Sequence, residues 1–383
     1  MECKFSNICG GCCFRDLSLI DYQQQKVEQV RNVLKQIKTD KFKFEEPIFI
    51  SDGCRRRASF AFARHKGKII LGFNTAQSNQ IVDIDFCPML TPSINKNIDF
   101  IRQLLEQIVH IGVSVKDKKK KNKICYVERG DIWITEADNG IDAVLEFELE
   151  PNLEMRQIIF EMMAVQDNVI RISHRKNVNQ QPETIMEKVK PYLHIAGREV
   201  YIPAGTFLQP SKAGEQALID SVNKYIANTH GKIADLFCGV GTFSYALAVC
   251  SENRITAIDS SAELLSGFRE SLNKQMISNI KIENRNLFKY PLFGKELYGY
   301  HAILFDPPRA GAKEQVTAIA ALPDEQKVPV IVAVSCNPHS FVRDANILLA
   351  GGYELKSITM VDQFVYSGHS ELVALFVQKL INK

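Results

Sequence analysis

The chain has 383 residues, 45% of them hydrophobic and 24% charged, enough for two or three domains with cores of their own. A formal charge of +3 is only mildly basic, so composition permits a nucleic-acid partner without demanding one. No apolar run approaches the roughly 18 residues of a membrane-spanning helix and the opening MECKFSN is polar, so the expectation is a soluble, cytoplasmic protein with no membrane partner, whose ten cysteines are mostly reduced.

The first 15 residues are irregular and cysteine-rich. Cys3-x5-Cys9-x2-Cys12, with Cys13 directly behind, is joined much later by Cys87 in DFCPML. Four thiolates suit an iron–sulfur cluster or a tetrahedral zinc, and spacing alone does not choose between them. From Tyr22 to Lys38 the residues Val27, Val30, Leu34 and Ile37 recur at helical spacing. From about 45 to 175 the pattern turns to short strands, KIILGFN, QIVDID and DIWITEADNGIDAVLEFEL, with Asn139-Gly140 as a hairpin signal. One helix, around Glu154 to Ala164, is expected to interrupt them. This region reads as a separate antiparallel α+β domain. In it, Arg55, Arg56 and Arg57 offer phosphate-binding charge, whereas alternation puts Phe60 and Phe62 on one face, as core residues sit. The run KDKKKKNK, Lys116 to Lys123, is a solvated tip or a phosphate-tracking loop.

After Pro203 short apolar runs (IADLF, RITAID, KIEN, HAILFD, VPVIVAVS) alternate with helical stretches at Lys212 to Ile226, Thr242 to Val249, Ala262 to Gln275, Ala312 to Ala321 and His339 to Leu349. That alternation predicts a doubly wound parallel sheet. The last two runs, YELKSITMVD and ELVALFVQK, are too close for a crossover helix and predict an antiparallel hairpin at the sheet. The expected domains are 1–44, 45–190 and 191–383.

Open sheets of this kind bind ligands at the carboxyl ends of their strands. In IADLFCGVGTFS the acid Asp235 is followed by Gly239 and Gly241 and a helix start, where free N–H groups face a ligand. The third glycine of a dinucleotide fingerprint is missing. Asp259 ends the next strand, where an acid can accept ribose hydroxyls. Asp306 ends another, stiffened by Pro307 and Pro308. Cys336 follows the run VAVS and is either a packed core thiol or a nucleophile at the sheet edge. Glu371 starts the last strand.

DLFCGVGTFS, DPPRAG, SCNP and a carboxylate before the final strand, with FLQPS ahead of them, resemble the S-adenosylmethionine-dependent RNA uracil-C5 methyltransferases, over roughly Pro203 to the C-terminus. The resemblance implies a Rossmann-like methyltransferase sheet, with Cys336 as the nucleophile that adds to uracil C6 and Glu371 as the general base. It assigns cofactor contacts to Gln209, Phe237, Thr242, Asp259, Asn286 and Asp306. Thr242 stands where the family often has Asn, and Asp259 where many members have Glu. The C-x5-C-G-G-C spacing with a remote cysteine resembles the iron–sulfur subgroup, which implies a 4Fe–4S cluster on Cys3, Cys9, Cys12 and Cys87. Cys54, Cys125, Cys238 and Cys250 read as ordinary packed thiols. Many family members begin with a small β-barrel RNA-binding domain. Here the cysteine motif starts at residue 3, so RNA capture is expected from the middle region. The implied substrate is ribosomal RNA, with a tRNA loop uridine second and a non-catalytic RNA-folding or assembly factor as the other reading. The expected state is a monomer.

Overall fold

A computed structural model describes residues 3–116 and 122–379. Most of the lysine run predicted between Lys116 and Lys123 lies outside the described residues. The chain forms two compact units. One comprises Met1–Asp16, Ser51–Leu193 and Ile202–Lys212, and the other Leu17–Ile50, His194–Tyr201 and Ala213–Lys383. The cysteine-rich start and the first helix, grouped together on sequence as 1–44, therefore fall in different units.

The first unit holds a seven-stranded sheet in the order Glu183–Glu187, Val169–Arg175, Gly140–Glu146, Arg129–Ala137, Arg57–His65, Lys68–Asn74, Ile81–Asp83. Strict alternation in Arg57–His65 buries Ala58, Phe60 and Phe62, so both phenylalanines are core residues. The hairpin at Asn139 forms, with Ala137 paired to Gly140. Two features differ from the sequence reading. The sheet is not wholly antiparallel: Gly140–Glu146 and Val169–Arg175 run parallel, because helix Leu153–Ala164 between them acts as a crossover. There is also a second helix, Pro92–Ile108, opened by a Thr91 cap and a first-turn proline. Its buried stripe of Ile94, Ile98, Ile101, Leu105 and Ile108 packs into the same core.

The second unit is built on a nine-stranded sheet. Its order is Lys43–Phe44, Tyr353–Asp362, Glu371–Gln378, Val330–Ser335, Ala302–Phe305, Lys232–Leu236, Arg254–Asp259, Ile280–Asn284, with Ile48–Phe49 also paired to Tyr353–Asp362. The five strands from Val330–Ser335 to Ile280–Asn284 are parallel, and Glu371–Gln378 runs antiparallel between Val330–Ser335 and Tyr353–Asp362. The expected hairpin is thus inserted beside the parallel sheet. Interior strands read as continuous apolar runs because both faces are covered: Ile331, Val332 and Val334 are all fully buried. Each such side chain stabilises the fold by about 1.5–3 kcal/mol relative to exposure. The chain reverses direction across the sheet between Lys232–Leu236 and Ala302–Phe305. The crevice beyond Leu236 and Phe305 is the topological switch point, where a ligand site is expected.

Candidate active site

Each strand near the switch point ends in a residue singled out on sequence. Phe237 follows Leu236, Asp306 follows Phe305 and Cys336 follows Ser335. Glu371 reaches the same edge from the opposite direction. Ser335 pairs with Leu372 in antiparallel register, so the next step along each strand sets Cys336 beside Glu371. Cys336 is half-buried and borders a cavity of about 480 Å³ shared with Gln29, Asn32, Arg309, His339, His369 and Ser370.

The electrostatics of this edge are unusual. Burial pushes the Cys336 thiol up to about 12, and the nearby carboxylates Glu371 and Asp306 push it the same way, with Arg309 opposing. Burial and then the charge of Asp306 raise Glu371, and burial and then Asp235 raise Asp306. Asp235, fully buried with its Oδ2 accepting the Ser244 hydroxyl at 2.5 Å, is raised to about 7, mainly by burial. Glu371 Oε1 accepts from Gln363 Nε2 at 3.2 Å, whereas Oε2 is buried with no hydrogen-bond partner among the described residues. A buried carboxylate oxygen without such a partner is costly to keep, which makes Glu371 a candidate functional group.

Two residues that the sequence reading did not single out hold this geometry. Helix Leu19–Leu34 buries Tyr22, Lys26, Val30 and Leu34, four residues at i, i+4 spacing. Lys26, 1% exposed, pairs with Asp362 Oδ1 at 3.0 Å and donates to the Ser367 carbonyl at 2.8 Å and to the His369 carbonyl. Tyr22 donates its hydroxyl to Asp362 Oδ2 and accepts from the Tyr366 N–H at 2.8 Å. The connection 363–370, which delivers His369 and Ser370 to the cavity and leads into Glu371, is thereby tied to the helix. The signal available in the sequence was a lysine inside an otherwise apolar stripe.

At the neighbouring strand ends Asp259 accepts the Gly239 N–H through Oδ2 at 3.0 Å and the Ser261 N–H through Oδ1 at 2.8 Å. Each oxygen keeps a lone pair for a further donor. Gly239 has φ +56° and only open space where a Cβ would lie, so a ligand can approach the backbone there. Phe237 also has positive φ, +61°, a strained state for a bulky residue, and its ring lies 5.3 Å from that of Phe288. Thr242 starts helix Thr242–Leu247. Asn286 Oδ1 accepts the N–H groups of Phe288 and Lys289. These features fit a nucleoside-containing cofactor. Gln209 belongs to the first unit, where its carbonyl accepts from buried Arg56 at 2.9 Å.

In the first unit Cys3, Cys9, Cys12 and Cys87 lie near enough for their thiolate charges to interact. Cys12 is pushed up to about 12, mainly by burial, then by Cys87 and Cys9, and Cys3 raises both Cys9 and Cys87. Asn95 clamps the Cys87 backbone on both sides, and the Gly11 N–H points to Cys9 Sγ at 3.4 Å. Cys13 is exposed. Arg55, Arg56 and Arg57 each donate to a backbone carbonyl. Arg57 also lies 4.9 Å over the exposed ring of Phe207.

The sequence profile of the tRNA (uracil-5-)-methyltransferase family matches residues 20–379. The chain belongs to that family. It is an S-adenosylmethionine-dependent RNA uracil-C5 methyltransferase. An uncharacterized RNA methyltransferase of Brucella melitensis is 33% identical over 98% of this chain and 84% of its own length. The 23S rRNA (uracil(1939)-C(5))-methyltransferase of Aliivibrio salmonicida is 25% identical over 98% of this chain and 81% of its own. The fold is similar to that of the Pyrococcus abyssi tRNA (uracil-54, C5)-methyltransferase in complex with S-adenosyl-L-homocysteine. That likeness has a TM-score of 0.71 at 21% identity and covers 96% of this chain and 85% of that one. Among the described residues no helix is long and apolar enough to cross a membrane.

Two outcomes check the site. Because the thiol is raised, alkylation of Cys336 by iodoacetamide, followed by peptide mass, rises about tenfold per pH unit from about 7 to 10. A plateau below pH 9 contradicts the raised thiol. Lys26→Met leaves Asp362 buried beside no cation and destabilises the protein by about 3–5 kcal/mol in urea unfolding. Adding Asp362→Asn recovers most of that loss, whereas a single-variant loss below about 1 kcal/mol would be that of a surface pair.

Proposed function

We propose that this protein methylates C5 of a uridine in RNA, with 23S ribosomal RNA as the preferred substrate, through a covalent bond between Cys336 and C6 of the uracil. The observation that carries the reading is the closeness of Cys336, Glu371 and Asp306 at the switch-point edge, a thiol whose proton affinity both carboxyls raise, with Cys336 itself bordering an open cavity. Uracil C5 is a weak nucleophile. Attack by the Cys336 sulfur on C6, its proton leaving to solvent, pushes the ring electrons onto C5 and O4. When bound, S-adenosylmethionine supplies an electrophilic methyl group on a sulfonium centre. Phe237, Gly239, Thr242, Asp259 and Asn286 would hold that cofactor, and Asp306 would close the edge between it and the base.

Once C5 carries the methyl group it also retains its hydrogen. Glu371 in its carboxylate form, raised in basicity by its dry surroundings, takes that proton. The C5–C6 double bond reforms as the C6–S bond breaks, returning the thiolate. Gln363 holds one Glu371 oxygen, which leaves Oε2 for the proton. A uridine in a helical stem cannot reach such a pocket, so the target is an unstacked base. Arg57 stacked on exposed Phe207 offers a first-unit contact of the kind that holds an unpaired base. The preference for ribosomal RNA rests on the alignment with the Aliivibrio salmonicida enzyme.

The convergence of Cys3, Cys9, Cys12 and Cys87 supports a 4Fe–4S cluster, with Cys12 rather than exposed Cys13 as the third ligand. Its role is structural in this reading, since methyl transfer moves no electron.

Cys336→Ala is expected to lose methyl transfer from labelled S-adenosylmethionine by at least about 1,000-fold. Retained activity would remove the covalent route. Glu371→Gln is expected to methylate once and then accumulate a covalent RNA complex on a denaturing gel, and free turnover would remove Glu371 as base. Mapping 5-methyluridine in cells with and without the gene separates the substrates: a lost site in 23S RNA is expected, and a lost tRNA site alone overturns that preference. Anaerobically purified protein is expected to be brown with about four irons per chain, whereas a colourless zinc protein would contradict the cluster.

A further inference from the structure

At the opposite edge of the second unit's sheet, the amino ends of strands Lys232–Leu236 and Arg254–Asp259, lies a group of side chains with no part in the methyl transfer. His230 precedes the first strand, and Cys250 and Glu252 precede the second. One donor atom of each, the His230 Nδ1, the Cys250 Sγ and a Glu252 carboxylate oxygen, lies within 4.8 Å of the others. His230 Nδ1 is 3.5 Å from Cys250 Sγ and 3.8 Å from Glu252 Oε2.

These spacings can be compared with those a metal imposes. A tetrahedral zinc with bonds of about 2.3 Å to sulfur and 2.0–2.1 Å to nitrogen sets the two ligand atoms about 3.5 Å apart. The His230–Cys250 separation already has that value. A carboxylate oxygen and an imidazole nitrogen on the same ion lie about 3.3–3.4 Å apart. Glu252, with its side chain 70% exposed, is free to close the remaining few tenths of an ångström.

The backbone that presents the pair is firmly fixed. Asn253, buried at 3% exposure, accepts the Gly231 N–H at 3.3 Å and donates to the Leu247 carbonyl at 2.8 Å. The Arg254 N–H donates to the Gly231 carbonyl at 2.8 Å and the Asn253 N–H to the Cys250 carbonyl at 3.1 Å. Asn279 bonds the carbonyls of Ala248 and Asn253. Gly231 has φ +110° and a Cβ there would lie 2.8 Å from the His301 ring, so the turn that carries His230 is locked against its neighbour. Beside His230 and Cys250 is a cavity of about 420 Å³, bordered also by Gln216, Asn223, Thr229 and Asn253. It leaves space for a fourth ligand.

We infer that His230, Cys250 and Glu252 form a binding site for a thiophilic divalent metal, zinc being the natural occupant, with a fourth position open to the adjoining cavity. Thiolate, imidazole and carboxylate are a donor set that suits zinc and is poor for magnesium or calcium. Binding releases the thiol proton to solvent and involves no redox change. The site is independent of the methyltransferase reading and of the amino-terminal cysteines. Cys250, which on sequence reads as a packed thiol, is in this account a ligand.

The test is alkylation of the intact protein by iodoacetamide, read by mass spectrometry at the peptide containing Cys250, with excess zinc chloride or magnesium chloride. Zinc is expected to slow alkylation of Cys250 at least about tenfold, and magnesium to leave it unchanged. In His230→Ala the protection by zinc should be lost, and in Glu252→Gln weakened about tenfold. Cys336 in the same digest serves as an internal reference whose rate zinc does not change. Equal rates at Cys250 with and without zinc in the unmodified protein, equal protection by magnesium, or undiminished protection in His230→Ala would each overturn the assignment.

Discussion

Everything at the catalytic edge depends on keeping negative or potentially negative groups together in a dry place. Asp235, Asp306, Glu371 and Cys336 influence one another across adjoining strand ends, and burial is the first cause of every shift among them. Each group is therefore held away from its charged form, and relief comes only when chemistry removes or accepts a proton. In the proposed mechanism the Cys336 thiol loses its proton as sulfur bonds to carbon, and the Glu371 carboxylate, of raised basicity, serves as the proton acceptor. The same crowding opposes folding, because a raised carboxyl gives up stability as pH climbs past its unfolded value. The edge is thus a place where stability is given up for reactivity.

Keeping such an edge in place requires anchoring elsewhere. The parallel strands fix Asp306 and Cys336 through their own register, but Glu371 arrives on an antiparallel strand after a connection of irregular backbone. Lys26 and Tyr22 hold that connection from the first helix, through Asp362 and three backbone groups. A buried lysine is tolerable because its ammonium donors meet a carboxylate and two carbonyls. The helix Leu19–Leu34 is, in this sense, part of the candidate active site of a unit whose switch-point strands begin only at Lys232.

Much of this was legible in the sequence because it is local. Apolar runs ending in Asp, Gly or Pro mark strand ends at a sheet edge, and the predicted helix Lys212 to Ile226 appears with those bounds. Motif order placed Asp235, Asp259, Asp306 and Cys336 on one edge. What local pattern cannot encode is which strand lies beside which. The parallel pairing of Gly140–Glu146 with Val169–Arg175, and the register that sets Glu371 against Cys336, arise only from the assembled sheets. Lys26 was hidden because a lysine in a helix is ordinarily solvated, and Pro92–Ile108 because short strands on both sides masked its period. The three arginines at 55–57 look like a phosphate patch in sequence. At least one donor of each bonds a backbone carbonyl within their own unit.

The central claim is that the Cys336 sulfur bonds to a pyrimidine carbon. It is tested most directly with RNA carrying 5-fluorouridine, whose fluorine cannot leave C5 as a proton does, incubated with S-adenosylmethionine and digested for peptide mass. The account predicts a denaturant-resistant complex in which the peptide containing Cys336 carries a methylated fluorouridine. A complex mapping to another cysteine, or methylation of ordinary RNA with no trapped complex on the fluorinated one, would contradict it.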